Sequence, residues 1–240
     1  MNMKKQIYTD EELLTRVWDR EHIQDVMSLR VYYSANEERR REINELWVTE
    51  DKYRKTASFG KNWGFYTGMD SIQNYYIVEH QKKIGAYIDA CGYMTLQPIS
   101  APSIQIAADG KTAKGLWYSV GHQEIPLEDG TIRARWVAMK VAADFVKEKV
   151  TGWRIWHLLE VSDSYWEPGI NYHDEIPVFE DPENDLLHIE FGTPDIEVKT
   201  HDRQFCWADN YPGMPEPYVT FSDEISWGPE GFTPMERWGE

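Results

Sequence analysis

Cysteine is scarce in this chain of 240 residues: only Cys91 and Cys206 occur. Two thiols allow a single disulfide at most, and so few in a chain this long fit a reducing compartment better than a secreted, disulfide-stapled scaffold. No CxxC pair, no HExxH, no GxSxG and no phosphate-cradling glycine loop occurs, so the zinc, zincin, α/β-hydrolase and nucleotide signatures are missing. Long apolar runs are missing as well, since nothing approaches the roughly 20 residues that span a bilayer. Lys4 and Lys5 are not followed by an apolar stretch, so no signal peptide is expected and a soluble, cytoplasmic protein is. Basic residues are outnumbered: 25 Lys and Arg against 41 Asp and Glu give a net charge of -16. That balance argues against a nucleic-acid surface, an anionic membrane or a highly anionic substrate. Repeats and low-complexity tracts are absent too.

Aromatic side chains are plentiful: 11 Trp and 14 Tyr are far too many for a disordered chain. Thr9 and Glu12 have capping-box spacing and open a helix. Leu13, Leu14, Val17 and Trp18 recur behind them as its apolar face, continued by Ile23, Val26, Met27 and Arg30 towards Tyr33. A second helix is expected over residues 36–47, with Ile43, Leu46 and Trp47 inward. Glycines and alternating aromatics over 56–68 predict two short strands about a turn. A third helix starts near Asp70 or Ser71 and closes at His80, which reads as solvated. From Gly92 the period becomes two, and Asp109-Gly110 and Asp129-Gly130 divide long hairpin strands.

The most telling stretch is Gly152-Trp153-Arg154-Ile155-Trp156-His157-Leu158-Leu159. Simple strand alternation puts Trp153, Ile155, His157 and Leu159 on one face, an imidazole in an apolar row. Past residue 162 the chain turns rich in Pro, Asp, Glu and aromatics, from Trp166 through Phe232. This predicts an ordered extension, residues 163–240, that wraps the core (residues 1–162) or a neighbouring subunit. The order of elements gives an α+β fold in which a curved antiparallel sheet offers a pocket to a flat, greasy molecule.

Several stretches carry a resemblance to a known family: Arg20-Glu21-His22-Ile23-Gln24-Asp25-Val26, Trp63 through Ile72, Asp109 through Tyr118, Asp144-Phe145-Val146-Lys147, and Gly152 through His157. Over residues 10–162 the chain resembles the SnoaL-like branch of the nuclear-transport-factor-2-like superfamily. The resemblance implies a cone-shaped sheet closed by the N-terminal helices, and acid–base chemistry without an organic cofactor. It also implies pairing of copies into a homodimer or larger assembly. Relatives of this kind include polyketide cyclases, dehydratases, ketosteroid isomerases and lignin-dimer formaldehyde lyases. The dehydratases use a Tyr of the first helix, here Tyr32 or Tyr33, with a His and an Asp. The matching positions here hold Ser100 and lie near Gly121 and His122. The long extension and the Trp156-His157 ending are similar to the formaldehyde lyases, which act on diaryl diols.

The residues themselves nominate His157 as a base, its pKa suiting proton transfer near neutrality; its bland alternative is a core histidine satisfied by a carbonyl. Asp144 is the second base. It shares parity with Lys140, opposite Met139, Val141 and Phe145, so the pair is either outward and solvated or turned into the pocket by a bulge. Tyr33 or His122 would supply the acid. Trp117, Trp63 and Tyr66 would clamp the rings, with Ser119 on the face of Trp117, and Arg135 or Lys140 would steady oxyanion charge. The expected function is a cofactor-independent lyase that removes formaldehyde or water from a small hydrophobic aromatic alcohol. Steroid-type dehydration or isomerisation, or a binding or assembly module without chemistry, are the alternatives. No metal or organic cofactor is expected.

Overall fold

The computed structural model describes residues 8–82, 94–126, 131–166, 192–198 and 211–232. Cys91, Cys206, the Asp129-Gly130 turn and much of the extension lie outside them. Helix α1 (Asp10–Ala35) begins as the sequence predicts: the Thr9 hydroxyl accepts from the Glu12 amide at 3.2 Å, and the Glu12 carboxylate accepts from the Thr9 amide at 2.8 Å. Its buried stripe is Asp19, Ile23, Met27, Arg30 and Tyr33, the spacing of one helix face. Leu13, Leu14, Val17 and Trp18 do not belong to that stripe. They are exposed, Trp18 by 60%. The sheet-facing side of those turns is taken by Arg16 and Arg20, whose guanidinium groups donate to the carbonyls of Ile106, Ala107 and Ile104.

Helix α2 (Arg39–Leu46) is shorter than the 36–47 expectation, because Trp47 leaves it to bridge Ile155. The one-turn α3 (Asp51–Arg54) leads to the hairpin β1 (Ser58–Lys61) and β2 (Gly64–Thr67). Helix α4 (Gly68–Gln73) continues as a π-helical segment (Asn74–Glu79) that ends at His80. His80 is buried against Glu37, not solvated as expected, and burial together with Arg39 pushes its imidazole down to about 3. Then come β3 (Met94–Leu96), β4 (Ile99–Ile106), the long β5 (Thr112–Pro126), β6 (Ile132–Glu148) and β7 (Gly152–Trp166), and the short β8 (Ile196–Glu197). The strand order is β3-β5-β6-β7-β1-β2-β8, with β4 also on β5, so the sheet is open and not a closed barrel. Helix α1 lies across one face, against β4 and β7. The fold is thus α+β, with the N-terminal helices against a curved sheet. Among the described residues no helix is long and apolar enough to cross a membrane.

Two register shifts in the β6–β7 ladder decide which side chains share a face. Asp144 pairs with His157 but Phe145 pairs with Ile155, so Trp156 is the extra residue of a bulge; a second shift lies between Ala138 and Met139. A bulge reverses the alternation of the strand that carries it. Trp153, Ile155, Leu158 and Phe59 therefore join the core beneath the helices. Leu159 and Val161 pack on the other side with Leu116, Ala142, Phe65 and Trp227. The expectation that Trp153, Ile155, His157 and Leu159 form one row is thus corrected. His157 and Leu159 face away from the helices.

Residues 211–232 cross this outer face, with Tyr211, Trp227 and Phe232 against its apolar row. The Ala108 and Asp109 amides donate to the Tyr218 and Val219 carbonyls at 3.0 and 3.1 Å. Strand β7 itself runs past residue 162 to Trp166.

Candidate functional site

The residues singled out from the sequence divide between the two faces. On the outer face, directly paired positions put Lys114, Asp144 and His157 in one cross-strand row, with Ser58 beside His157 through the parallel β1–β7 pairing. All four are buried. Lys114 Nζ lies 2.5 Å from Asp144 Oδ1 and also donates to the Ile225 carbonyl. Asp144 Oδ2 accepts from the Trp227 amide at 2.7 Å and from Ser226 Oγ at 3.3 Å. The ammonium sits 3.7 Å from the Trp227 ring centre, a cation–π contact. Ser58 Oγ and His157 Nδ1 are 2.9 Å apart. Burial pushes the His157 imidazole down to about 4, against the opposing pull of Asp144, so the ring is neutral near neutral pH.

Asp144 and Lys140 therefore fit neither expectation. They point outward, and they are buried nonetheless, because residues 211–228 cover them. The Lys140 ammonium donates to the Tyr211 carbonyl at 3.3 Å. His157 is sealed in the same way. A Cβ at Gly228 would stand 2.9 Å from its Nδ1, so only a glycine lets the chain pass over the ring. His122 is also on the outer face, paired with Trp136, their ring centres 5.4 Å apart.

Trp117, Ser119, Arg135 and Tyr66 lie on the helix-covered side. Trp117 is fully buried and donates its indole N–H to Gln24 Oε1 at 3.0 Å. Gly115, two residues earlier, leaves the space in which that indole lies along the sheet; a Cβ there would stand 2.2 Å from the ring. Ser119 pairs with Met139, and its buried hydroxyl has no hydrogen-bond partner among the described residues. Arg135 is buried on the face of Met139 and Val141, as parity implies. Trp63 Nε1 donates to Tyr66 Oη at 3.4 Å, and that phenol donates to the Gly192 carbonyl at 2.7 Å. Tyr33 belongs to neither constellation. Its phenol donates to Glu45 on α2 at 2.5 Å and accepts from Arg41 at 3.0 Å.

The ionisable centre of the helix-covered face consists of residues that sequence reasoning did not nominate. Glu160 on β7 is buried between Arg30 of α1, which donates to Oε1, and Lys61 of β1, which donates to Oε2. Burial alone would raise its carboxyl, but Arg30 and then Lys61 outweigh that and hold it down at about 2. Tyr76 Oη stands 3.5 Å from Arg30 Nη2. Beside this pair the rings of Phe59, Tyr66, Tyr75 and Tyr76 form a wall, with Tyr66 and Tyr75 4.5 Å apart and Phe59 and Tyr76 4.9 Å apart. Burial pushes the Tyr66 phenol up to about 12 and raises those of Tyr75 and Tyr76 further, so all three are neutral donors near neutral pH. Two sequence signals could have found the centre: Arg30 interrupts the apolar stripe of Ile23 and Met27, and Glu160 interrupts Leu158-Leu159-Glu160-Val161.

An open α+β sheet thus carries one face under N-terminal helices, with charged groups among aromatics. The sequence pattern of the SnoaL-like domain matches residues 15–158, and the chain belongs to that family. No curated protein matches the chain. Among solved structures, a nuclear transport factor 2-like superfamily protein from Salmonella enterica serovar Typhimurium is 17% identical, with a TM-score of 0.47; the match covers 61% of this chain and 92% of that one. An NTF2-like protein with a cystatin-like fold from Novosphingobium aromaticivorans is 15% identical over 65% of this chain and 92% of its own, with a TM-score of 0.43. A type 2 hexachlorocyclohexane dehydrochlorinase is 14% identical over 66% and 95%, with a TM-score of 0.48.

Proposed function

We propose that the helix-covered face is a small-molecule site, and that the protein is a cofactor-independent lyase removing water or formaldehyde from a small hydrophobic aromatic alcohol. One observation carries this reading: a buried carboxylate, Glu160, pairs with the half-buried ammonium of Lys61 beside a wall of phenol rings. The rings would hold an aromatic substrate by stacking and burial. Glu160, ionised near neutral pH, is the proton acceptor. In dehydration it takes the proton from carbon while the hydroxyl on the neighbouring carbon departs with a proton from Lys61, leaving a C=C bond and water. In deformylation it takes the hydroxyl proton of a CH2OH group as the C–C bond to that carbon breaks; formaldehyde leaves, and the electron pair of the broken bond takes a proton from Lys61 at the carbon left behind. Its low pKa makes it a weak base, so substrate has to displace Lys61 from Oε2 towards the leaving oxygen, which frees one carboxylate lone pair. Trp117 and Ser119 extend the same face towards Arg135, and their expected part in holding the ring system belongs to this reading.

This assignment moves the base from His157 to Glu160, because the sheet separates His157 from Trp117 and Tyr66. Expected with it are a cytoplasmic protein and a homodimer or larger assembly. The second is supported by Tyr118, Val120 and Trp136, exposed on the outer face. The test is mass spectrometry of diaryl diols and polycyclic alcohols incubated with the protein. Loss of 18 or 30 mass units, the masses of water and formaldehyde, is expected from at least one compound, and its disappearance with Glu160→Gln. Turnover that survives Glu160→Gln would remove the assignment.

A further inference from the structure

Behind the Arg30 guanidinium lies a second carboxylate that the proton-transfer scheme does not use. Glu42 on α2 is fully buried, and its carboxylate faces the Arg30 and Arg39 guanidinium groups and the Trp47 indole. Its Oε1 is 3.3 Å from Arg30 Nε, and its Oε2 is 3.7 Å from Arg39 Nη1. Arg30 Nε has no hydrogen-bonded partner among the described residues, while Nη2 of the same group donates to Glu160 and stands next to Tyr76 Oη. One guanidinium is thus divided between two buried carboxylates from different elements, α2 and β7.

The division is unequal. Glu160 holds direct, charge-assisted hydrogen bonds from Arg30 and Lys61, whereas Glu42 meets its guanidinium groups by ion-pair proximity, with the neutral Trp47 indole beside it. The charged and titratable groups facing Glu42 are Arg30 from α1, Arg39 from its own helix, Tyr76 from the π-helical segment and Glu160 from β7. Burial raises the Glu42 carboxyl against the pull of Arg30 and Arg39. An anion at Glu42 draws part of the Arg30 charge away from Glu160. An uncharged side chain there would leave that charge wholly to Glu160, which would then bind a proton less readily.

We propose that Glu42 is a positioning residue for Glu160: through the shared Arg30 guanidinium, its negative charge weakens the hold on Glu160 and keeps that carboxylate able to accept a proton. The proposal rests on the reading of Glu160 as the base. Glu42→Gln preserves shape and removes charge. It is expected to lower kcat about tenfold with KM within about twofold, and to move the acid limb of the kcat–pH profile to lower pH. Glu42→Asp, which keeps the charge, is expected to restore most of the rate. A role in packing alone predicts unchanged kcat and pH profile for the folded Gln variant, and that result overturns the proposal.

A measurement independent of turnover is the Arg30 side-chain Nε–H resonance in 15N NMR spectra of the whole protein. It is expected to shift with pH as Glu42 takes up a proton, to lose that shift in Glu42→Gln and to keep it in Glu160→Gln. A wild-type resonance indifferent to pH between 4 and 8 overturns the coupling even if the protein proves to be a lyase. A protein that turns over no compound but shows the titration retains the coupling and loses the lyase reading.

Discussion

Each face of the sheet carries a buried carboxylate paired with a lysine, and the two pairs are finished differently. On the outer face the Lys114–Asp144 pair spends its hydrogen bonds on the backbone and side chains of residues 225–227, with the Trp227 amide, Ser226 hydroxyl and Ile225 carbonyl all engaged. On the helix-covered face Glu160 is gripped, among the described residues, by the side chains of Arg30 and Lys61, beside phenols that remain neutral donors. Backbone partners make the first pair a latch that fixes the C-terminal segment. Side-chain partners, which can swing away through rotamer changes, let the second pair exchange a protein contact for a ligand. Burial of a charge therefore does not itself mark a reactive group; the identity of its partners does.

The largest effect expected from breaking this contrast is on turnover. Glu160→Gln should cost roughly 10²–10⁴ in kcat, the range of a positioned proton-transfer group, as read from product formation per folded molecule. Asp144→Asn, by contrast, should leave that rate unchanged once the folded fraction is accounted for.

Next comes the latch itself. Asp144→Ala leaves Lys114 buried beside Trp227 without its counter-charge, and such removals cost about 3–5 kcal/mol. Urea unfolding should show that loss, together with faster proteolytic cleavage within residues 211–232. A variant as stable as the wild type would show that residues 225–227 are held by apolar contact alone.

The third prediction concerns acid. His157 is neutral when folded, with its pKa down at about 4, while in the unfolded chain it titrates near 6.5. Between those values the unfolded chain binds the extra proton, so this stability is complete above pH 6.5 and is lost as pH falls towards 4, about 3 kcal/mol in all. His80, pushed down to about 3, adds a slope of the same sign. His157→Gln should reduce the fall of the melting temperature between pH 6.5 and 4 without abolishing it. An unchanged slope would mean that the ring is not sealed.

Smaller still is Gly228→Ala, whose Cβ would stand 2.9 Å from His157 Nδ1 and 3.0 Å from Glu230 Oε2. Overpacking of this kind costs about 1–3 kcal/mol, measurable as a lower melting temperature. Trp18→Ala should change stability by less than about 0.5 kcal/mol, because that side chain is exposed and its neighbours along the stripe are too.

Local signals were legible wherever the determining interaction was itself local. The capping box at Thr9 and Glu12, the turn at Asp109-Gly110 and the alternation along β6 that buries Arg135 beside Met139 could all be read directly. Reading failed where distant segments chose the outcome. The apolar side of the first turns of α1 is turned outward because Arg16 and Arg20 take the sheet carbonyls. For Asp144 and Lys140 the sequence left two alternatives, outward and solvated or turned into the pocket, but an outward position means solvent only if nothing covers it. The Glu160 centre was hidden because its members come from α1, β1 and β7, and no sequence spacing connects residues 30, 61 and 160.

By itself, then, the amino-acid sequence determined the order of elements, the family and the period of each segment, since these follow from contacts along the chain and from hydrophobic pattern. Only the tertiary structure decided which face each ionisable group occupies. One extra residue, Trp156, reverses the alternation of β7 and sends His157 to the outer face and Glu160 to the inner one. Whether a bulge forms there depends on pairing with β6 and β1, long-range hydrogen bonding that no local pattern encodes.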